Sequence, residues 1–371
     1  MTSASLAVAA IMFGHTSVGV DMEALNAAVA DLDHPSVIYI MGGCVPEGIA
    51  LTVAGQGQSG QVHDLTERSP VRTASNTKTF TAATILRLWE QGRLDLDAPI
   101  ADLASASLMA PLETVGYDTR AITVRHLLNH TSGLYDHASD LRYQQMWLDR
   151  PDHHWTRQEQ VELSASFSGP LHAPGTRFVY ADTGYVILGD IIEQVTGQPL
   201  HEAVREQLRF DDFGLADTWW EVAEMPPADA LPKARQTWKG MDIDRLHGSI
   251  DVYGGGGLIM SARDLAVFFA ALFEDQVFEH PRTLSEMTRA LSHEGGQLYR
   301  LGLMATSQDE PDWRNKGFWH SGFWGTVTYY IPAKRIAVSG ITRDQAGFAA
   351  MNAAAKKVIE ALPCRWSLSG D

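Results

Sequence analysis

Apolar side chains recur at helical spacing along much of the chain. Met22, Leu25, Ala28, Val29 and Leu32 make one such stripe, and Asp21 stands ahead of it as an N-cap. A second segment, 79–92, carries Phe80, Ala83, Ile85, Leu86, Leu88 and Trp89 and stops at Gly92. It is apolar on most faces, which predicts a buried helix. Further helices are predicted over 123–128, 157–167, 183–196, 201–208, 262–272 and 345–362. β-rich runs at 37–41 and 49–53 flank Gly-Gly-Cys-Val-Pro-Glu-Gly, and runs at 325–330 and 336–341 flank Pro332-Ala333-Lys334-Arg335, so each pair reads as a hairpin. Strands therefore cluster near the two ends, whereas the middle of the chain supplies mostly helices. That distribution suggests an antiparallel sheet built from both ends, covered by helices, with a helical subdomain inserted between them.

Composition narrows the reading. With 371 residues, 45% of them hydrophobic, the chain can bury a large core, and no low-complexity tract or internal repeat interrupts it. The formal charge of −16, from 45 acidic against 29 basic side chains, with no run of Lys or Arg, argues against a nucleic-acid partner or an anionic membrane surface. No apolar run reaches the length of a membrane span. Segment 5–13 is apolar, but the preceding residues carry no positive charge and no small-x-small cleavage site follows. It is expected to form an N-terminal arm or a first helix turn, and the protein to be cytoplasmic, with export as the alternative. Cys44 and Cys364 have no metal spacing, and they neither imply nor exclude a disulfide. His126, His130, His137, His153 and His154 show no metal-binding pattern, so no metal and no cofactor are expected.

Candidate chemistry begins at Ser75. Lys78 follows three residues later at the mouth of the buried helix, so hydroxyl and amine share a face, and a helix N-terminus favours anionic character there. A serine and a lysine at such a place are odd choices for packing alone. Downstream lie Tyr180-Ala181-Asp182, ahead of a helix, and His320-Ser321-Gly322, ahead of a strand. In this order the three segments resemble the Ser-x-x-Lys, Tyr-x-Asn and Lys/His-Thr/Ser-Gly motifs of the penicillin-recognising serine hydrolases. The most similar branch holds class C β-lactamases, D-alanyl-D-alanine peptidases, D-aminopeptidases and related esterases. The stretches 122–134 and 256–265 resemble that branch too, and the likeness spans about 21–361.

The resemblance implies an α/β (α+β) fold of the β-lactamase/transpeptidase type. Segments 1–93 and 292–371 would form the sheet-containing subdomain and 94–291 the helical one, with the site in the cleft between them. It also implies an acyl-enzyme on Ser75, with Lys78 and Tyr180 acting as one proton relay; which is the resting base stays open. The backbone N–H groups of Ser75 and Phe323 would form the oxyanion hole. Asp182, His320, Ser321, Gly322 and Trp324 would bind substrate, His320 as a weaker carboxylate donor than lysine and Gly322 by leaving room for a substrate backbone.

Asp182 departs from the motif. An ionised Asp accepts hydrogen bonds where Asn both donates and accepts, and it would hold Lys78 protonated. It also stands where the helix over 183–196 needs an N-cap.

Three functions fit. The first is a serine hydrolase of esters or amides, β-lactams included. The second is a D-specific peptidase or amidase acting on short or peptidoglycan-like peptides. The third is an acylating binder or sensor that does not turn over. Oligomeric state and natural substrate are not legible. Because Asp182 disfavours a β-lactam side-chain amide, Asp182→Asn is expected to raise nitrocefin turnover relative to that of a p-nitrophenyl ester. An unchanged ratio contradicts this reading.

Overall fold

The computed structural model describes residues 8–11, 19–54, 65–290, 298–307 and 316–364. Period-two alternation on the strands near both ends decides the architecture. Seven antiparallel strands run in the order Val8–Ile11, Val45–Val53, Ser36–Gly42, Ile336–Thr342, Thr326–Ile331, Phe318–Gly322 and Met304–Ala305. Ile40 pairs with Val338, and Val338 with Tyr329, so these side chains share one face. Helices Met22–Val29 and Phe348–Ala361 cover it, burying Leu25, Val29, Met351, Ala355 and Val358 against the sheet. Ala337, Tyr330 and Phe318 point to the other face, where Phe273, at the end of helix Ala262–Phe273, stacks at 4.6 Å on Tyr330 and 5.2 Å on Phe318.

Both hairpins form as their patterns require, and Asp21 caps the first helix by accepting from the Glu23 and Ala24 N–H groups. The 345–362 segment is a 3₁₀ turn followed by helix Phe348–Ala361. Val8–Ile11 is an edge strand on Val45–Val53 and not a helix turn; 5–7 and 12–13 lie outside the described residues. Helices Ala106–Thr114, Leu141–Asp149 and Pro281–Thr288 are not among those predicted from sequence. Cys44 and Cys364 form a disulfide that ties the first hairpin's turn to the chain beyond the last helix.

Helix Thr77–Glu90 packs against helices Asp182–Thr196 and Leu200–Gln207, and every residue from Thr77 to Leu88 is buried. Its threonines are paired: Thr79 donates to the Gly302 carbonyl (2.8 Å), Thr81 to that of Gly254 (2.8 Å) and Thr84 to that of Phe80 (2.9 Å). Ser75 precedes it in a separate 3₁₀ turn, Ala74–Asn76, with Ala74 at a φ of 45°. A non-glycine residue in that region stores backbone strain beside the hydroxyl.

Gly322 packs the sheet edge onto this turn. A Cβ there would lie 1.9 Å from the Thr73 carbonyl oxygen and 2.6 Å from Thr326 Oγ1, so the space beside Gly322 belongs to the protein's own backbone and not to a substrate. Gly322→Ala is therefore expected to cost roughly 1–3 kcal/mol of stability, read from denaturant unfolding. Stability within about 0.5 kcal/mol of the parent would contradict this packing.

Candidate active site

Lys78 sits at the centre of the site. Its ammonium is fully buried and donates to Ser75 Oγ (2.9 Å), to the Gly255 carbonyl (2.7 Å) and, through a short contact, to Asp182 Oδ1. Three N–H donors thus meet three acceptors. Burial alone would push the ammonium down; Asp182, then Tyr180, outweigh it and hold Lys78 above the ordinary lysine range.

The glycine run 254–257 makes the third contact possible, because a Cβ on Gly255 would stand 2.9 Å from Asp182 Oδ1 and one on Gly256 would stand 2.2 Å from the Asp251 carbonyl oxygen.

Asp182 does not cap its helix. It is the first residue of Asp182–Thr196, Ala181 holds the cap position, and Asp136 Oδ1 accepts from the Asp182 N–H at 3.0 Å. The carboxylate is thereby released to face Lys78. Asp136 was not singled out from sequence; it lies in a loop whose conformation depends on tertiary contacts.

His130 holds Tyr180 in place. Its carbonyl accepts from the Val179 N–H (2.9 Å), its Nδ1 accepts from the Ala181 N–H (3.1 Å), and its ring lies 4.1 Å from the Tyr180 ring, centre to centre. The phenol ring lies beside Lys78, whose ammonium stands 5.1 Å from its centre, and borders the same cavity as Ser75. Burial pushes this phenol up, Lys78 offsets the effect in part, and the result lies above the ordinary tyrosine value.

The His320 segment is placed differently from a substrate donor. His320 is buried, its Nδ1 accepts from the Ser321 N–H (2.9 Å), and its Nε2 faces the Tyr299 hydroxyl at 3.1 Å. Burial, reinforced by Lys78, lowers its pKa to about 3, so the ring is neutral. Ser321 falls on the opposite face of the strand. Neither residue lines the cavity beside Ser75, and Gly322 does not line it either.

That cavity has a volume of about 300 Å³. Ser75, Tyr180, Asp182, Asp136 and Asp251 bring its polar groups; Tyr143, Trp147, Ile250, Phe323 and Trp324 bring apolar wall. Tyr143 and Trp147 come from helix Leu141–Asp149, which is not among the helices predicted from sequence. Trp319, on the far face, stacks on Tyr329.

Buried contacts fix the wall. Asn76 bridges the Ser75 turn to the sheet edge: one end of its amide is 3.0 Å from the His320 carbonyl, the other 3.3 Å from the Gly322 N–H and 2.7 Å from Thr326 Oγ1. Gln236 donates to the Trp324 carbonyl (2.8 Å) and accepts from the Arg72 N–H (2.9 Å). Arg72 in turn pairs with Glu221 (2.7 Å) and donates to the carbonyls of Ile243 (2.7 Å) and Leu246 (2.8 Å). None of these three carries a sequence motif.

An antiparallel sheet flanked by helices, with a Ser-Lys-Tyr group on a cleft, defines a serine hydrolase of the β-lactamase fold. The Beta-lactamase family model matches residues 18–362, and the chain belongs to that family.

Among its relatives is penicillin-binding protein 4 of Amycolatopsis lactamdurans, 28% identical over 302 residues that cover 76% of this chain and 70% of that protein. An uncharacterized Mycobacterium tuberculosis protein is 28% identical over 67% of this chain, and the chain spans 63% of that protein's length. The solved structure of a D-stereospecific amidohydrolase from Streptomyces sp. matches with a TM-score of 0.74 and 28% identity, covering 92% of this chain and 97% of that one. D-amino acid amidase from Ochrobactrum anthropi SV3 shares the fold, with a TM-score of 0.70 and 24% identity over 92% of this chain and 99% of that one.

Proposed function

We propose that this chain hydrolyses an amide or ester through an acyl-enzyme on Ser75, and that its substrate is an aminoacyl amide or short peptide. The observation that carries the reading is the convergence of Ser75 and Tyr180 on one cavity, with Lys78 held behind them as a cation 2.9 Å from the serine oxygen.

Such an ammonium cannot take the serine proton, but it stabilises the alkoxide that develops during attack. Tyr180, neutral at rest, receives the Ser75 proton while passing its own to the leaving nitrogen. The serine–carbonyl bond forms, the carbon–nitrogen bond breaks, and the relay ends with the phenol restored. Water then attacks the ester, and the same phenol moves the proton back to Ser75. Ser75 and Phe323 both border the cavity, and their N–H groups would receive the oxyanion. Among the described residues no backbone carbonyl accepts from the Phe323 N–H, which supports that role.

Likeness to a D-stereospecific amidohydrolase at 28% identity supports the amidase reading over the β-lactamase one. Asp182 supports it too, since no amide stands there to donate to an acylamido carbonyl. Among the described residues no helix is long and apolar enough to cross a membrane. The Cys44–Cys364 disulfide favours an oxidising compartment over the cytoplasm.

A fluorophosphonate probe is expected to add once to the intact protein, at the peptide containing Ser75, and Ser75→Ala to abolish both adduct and hydrolysis. Tyr180→Phe is expected to lower kcat by about 10²-fold or more. Hydrolysis that survives Ser75→Ala would end the proposal.

A further inference from the structure

Tyr180 stands on a stretch without regular secondary structure, 178–181, so no helix or strand fixes its ring. A proton relay works only if its oxygen is held closely, and the setting of this phenol therefore falls to the groups packed around it. The Lys78 ammonium is one and the His130 ring another. Tyr299 is the third. It is buried, and its ring meets that of Tyr180 edge-on, with centres 6.1 Å apart and planes at 80°. It also meets the His130 ring edge-on at 4.6 Å, so it backs the phenol both directly and through the imidazole.

Tyr299 is itself held from two sides. Its hydroxyl lies 3.1 Å from His320 Nε2, which ties the ring to strand Phe318–Gly322. The chain then turns back on itself: the Arg300 N–H donates to the Leu303 carbonyl (2.8 Å), and Tyr299 pairs with Met304. Gly302, at a φ of 78°, lets this turn settle on helix Thr77–Glu90, because a Cβ there would stand 2.3 Å from Ala82 Cβ and 3.0 Å from the Lys78 carbonyl oxygen. Thr79 closes the contact by donating to the Gly302 carbonyl. One tyrosine thus touches the strand of His320 and the loop of Tyr180 from a turn seated on the helix of Lys78.

We infer that Tyr299 is a positioning residue for the reaction at Ser75. Its ring, with His130, holds the Tyr180 phenol in place, and its hydroxyl locks that ring to the His320 strand. The inference rests on the reading of Ser75 as nucleophile and Tyr180 as relay. Tyr299 itself touches neither the serine nor the cavity, so it acts through the phenol alone.

The test is the rate at which a fluorophosphonate labels Ser75, followed by intact-protein mass spectrometry over a range of probe concentrations, which separates the maximal rate from the half-saturating concentration. Tyr299→Leu is expected to lower the maximal rate about ten-fold or more, and Tyr299→Phe, which keeps the ring and loses only the hydroxyl, about five-fold. The half-saturating concentration is expected to stay within about two-fold of the parent's in both. In Tyr180→Phe protein neither change is expected to alter the remaining rate by more than about two-fold, since a residue that acts through the phenol then has nothing to act on. Parent-like rates in the Tyr299 variants, or losses of equal size with and without Tyr180, would overturn the inference while Ser75 labelling of the parent still stands. Should Tyr299→Leu fail to fold, Tyr299→Phe decides by the same comparison. A parent protein left unlabelled at Ser75 would overturn the catalytic reading and this inference with it.

Discussion

The buried ion pair between Lys78 and Asp182 is the constraint on which the site depends. An ammonium with no exposed surface survives only if every proton finds an acceptor, and here each does: a hydroxyl, a carbonyl and a carboxylate. Those acceptors come from three distant parts of the chain. The pair therefore fixes the 3₁₀ turn of Ser75, the start of the Asp182 helix and the glycine run at 254–257 relative to one another. Removing either partner leaves the other charge stranded, which is the expensive way to break such a pair.

Around this centre the protein uses backbone groups more than motifs to hold the reacting side chains. Asn76 and Gly322 seat the sheet edge on the Ser75 turn, and His130 accepts from the N–H groups of the residues on either side of Tyr180, Val179 and Ala181. His320 supports from behind, buried and neutral. The motif's third member thus acts through the shape of the strand, while the wall of the cavity is made by Phe323 and Trp324 just beyond it.

How much of this was legible follows from range. Ser75, Lys78 and Tyr180 could be found because helical spacing and short motifs are local, and the hairpins because strand alternation is local. Asp182 was visible as a departure from its motif, but its choice of Lys78 over its own helix end depends on Asp136, forty-six residues earlier, taking the capping bond. Tyr143 and Trp147 were hidden because helix Leu141–Asp149 exposes most of its surface, and only two of its nine residues are buried. What the glycine run at 254–257 packs against is set by long-range contacts with Asp182 and Asp251 that no local pattern encodes. The Cys44–Cys364 pairing needed the last helix to return beside the first hairpin, which no spacing encodes.

One consequence is electrostatic. A serine hydrolase of this type can activate its nucleophile with a neutral lysine or with a fixed cation and a shuttling phenol, and the mechanism we propose, with Asp182 beside Lys78, is the second. The most direct test is the protonation of Lys78 itself, followed by NMR of lysine labelled with nitrogen-15 at Nζ. The Lys78 resonance is expected to stay that of an ammonium through about pH 10, where free lysines begin to titrate. A Lys78 amine that loses its proton near neutral pH would contradict the account.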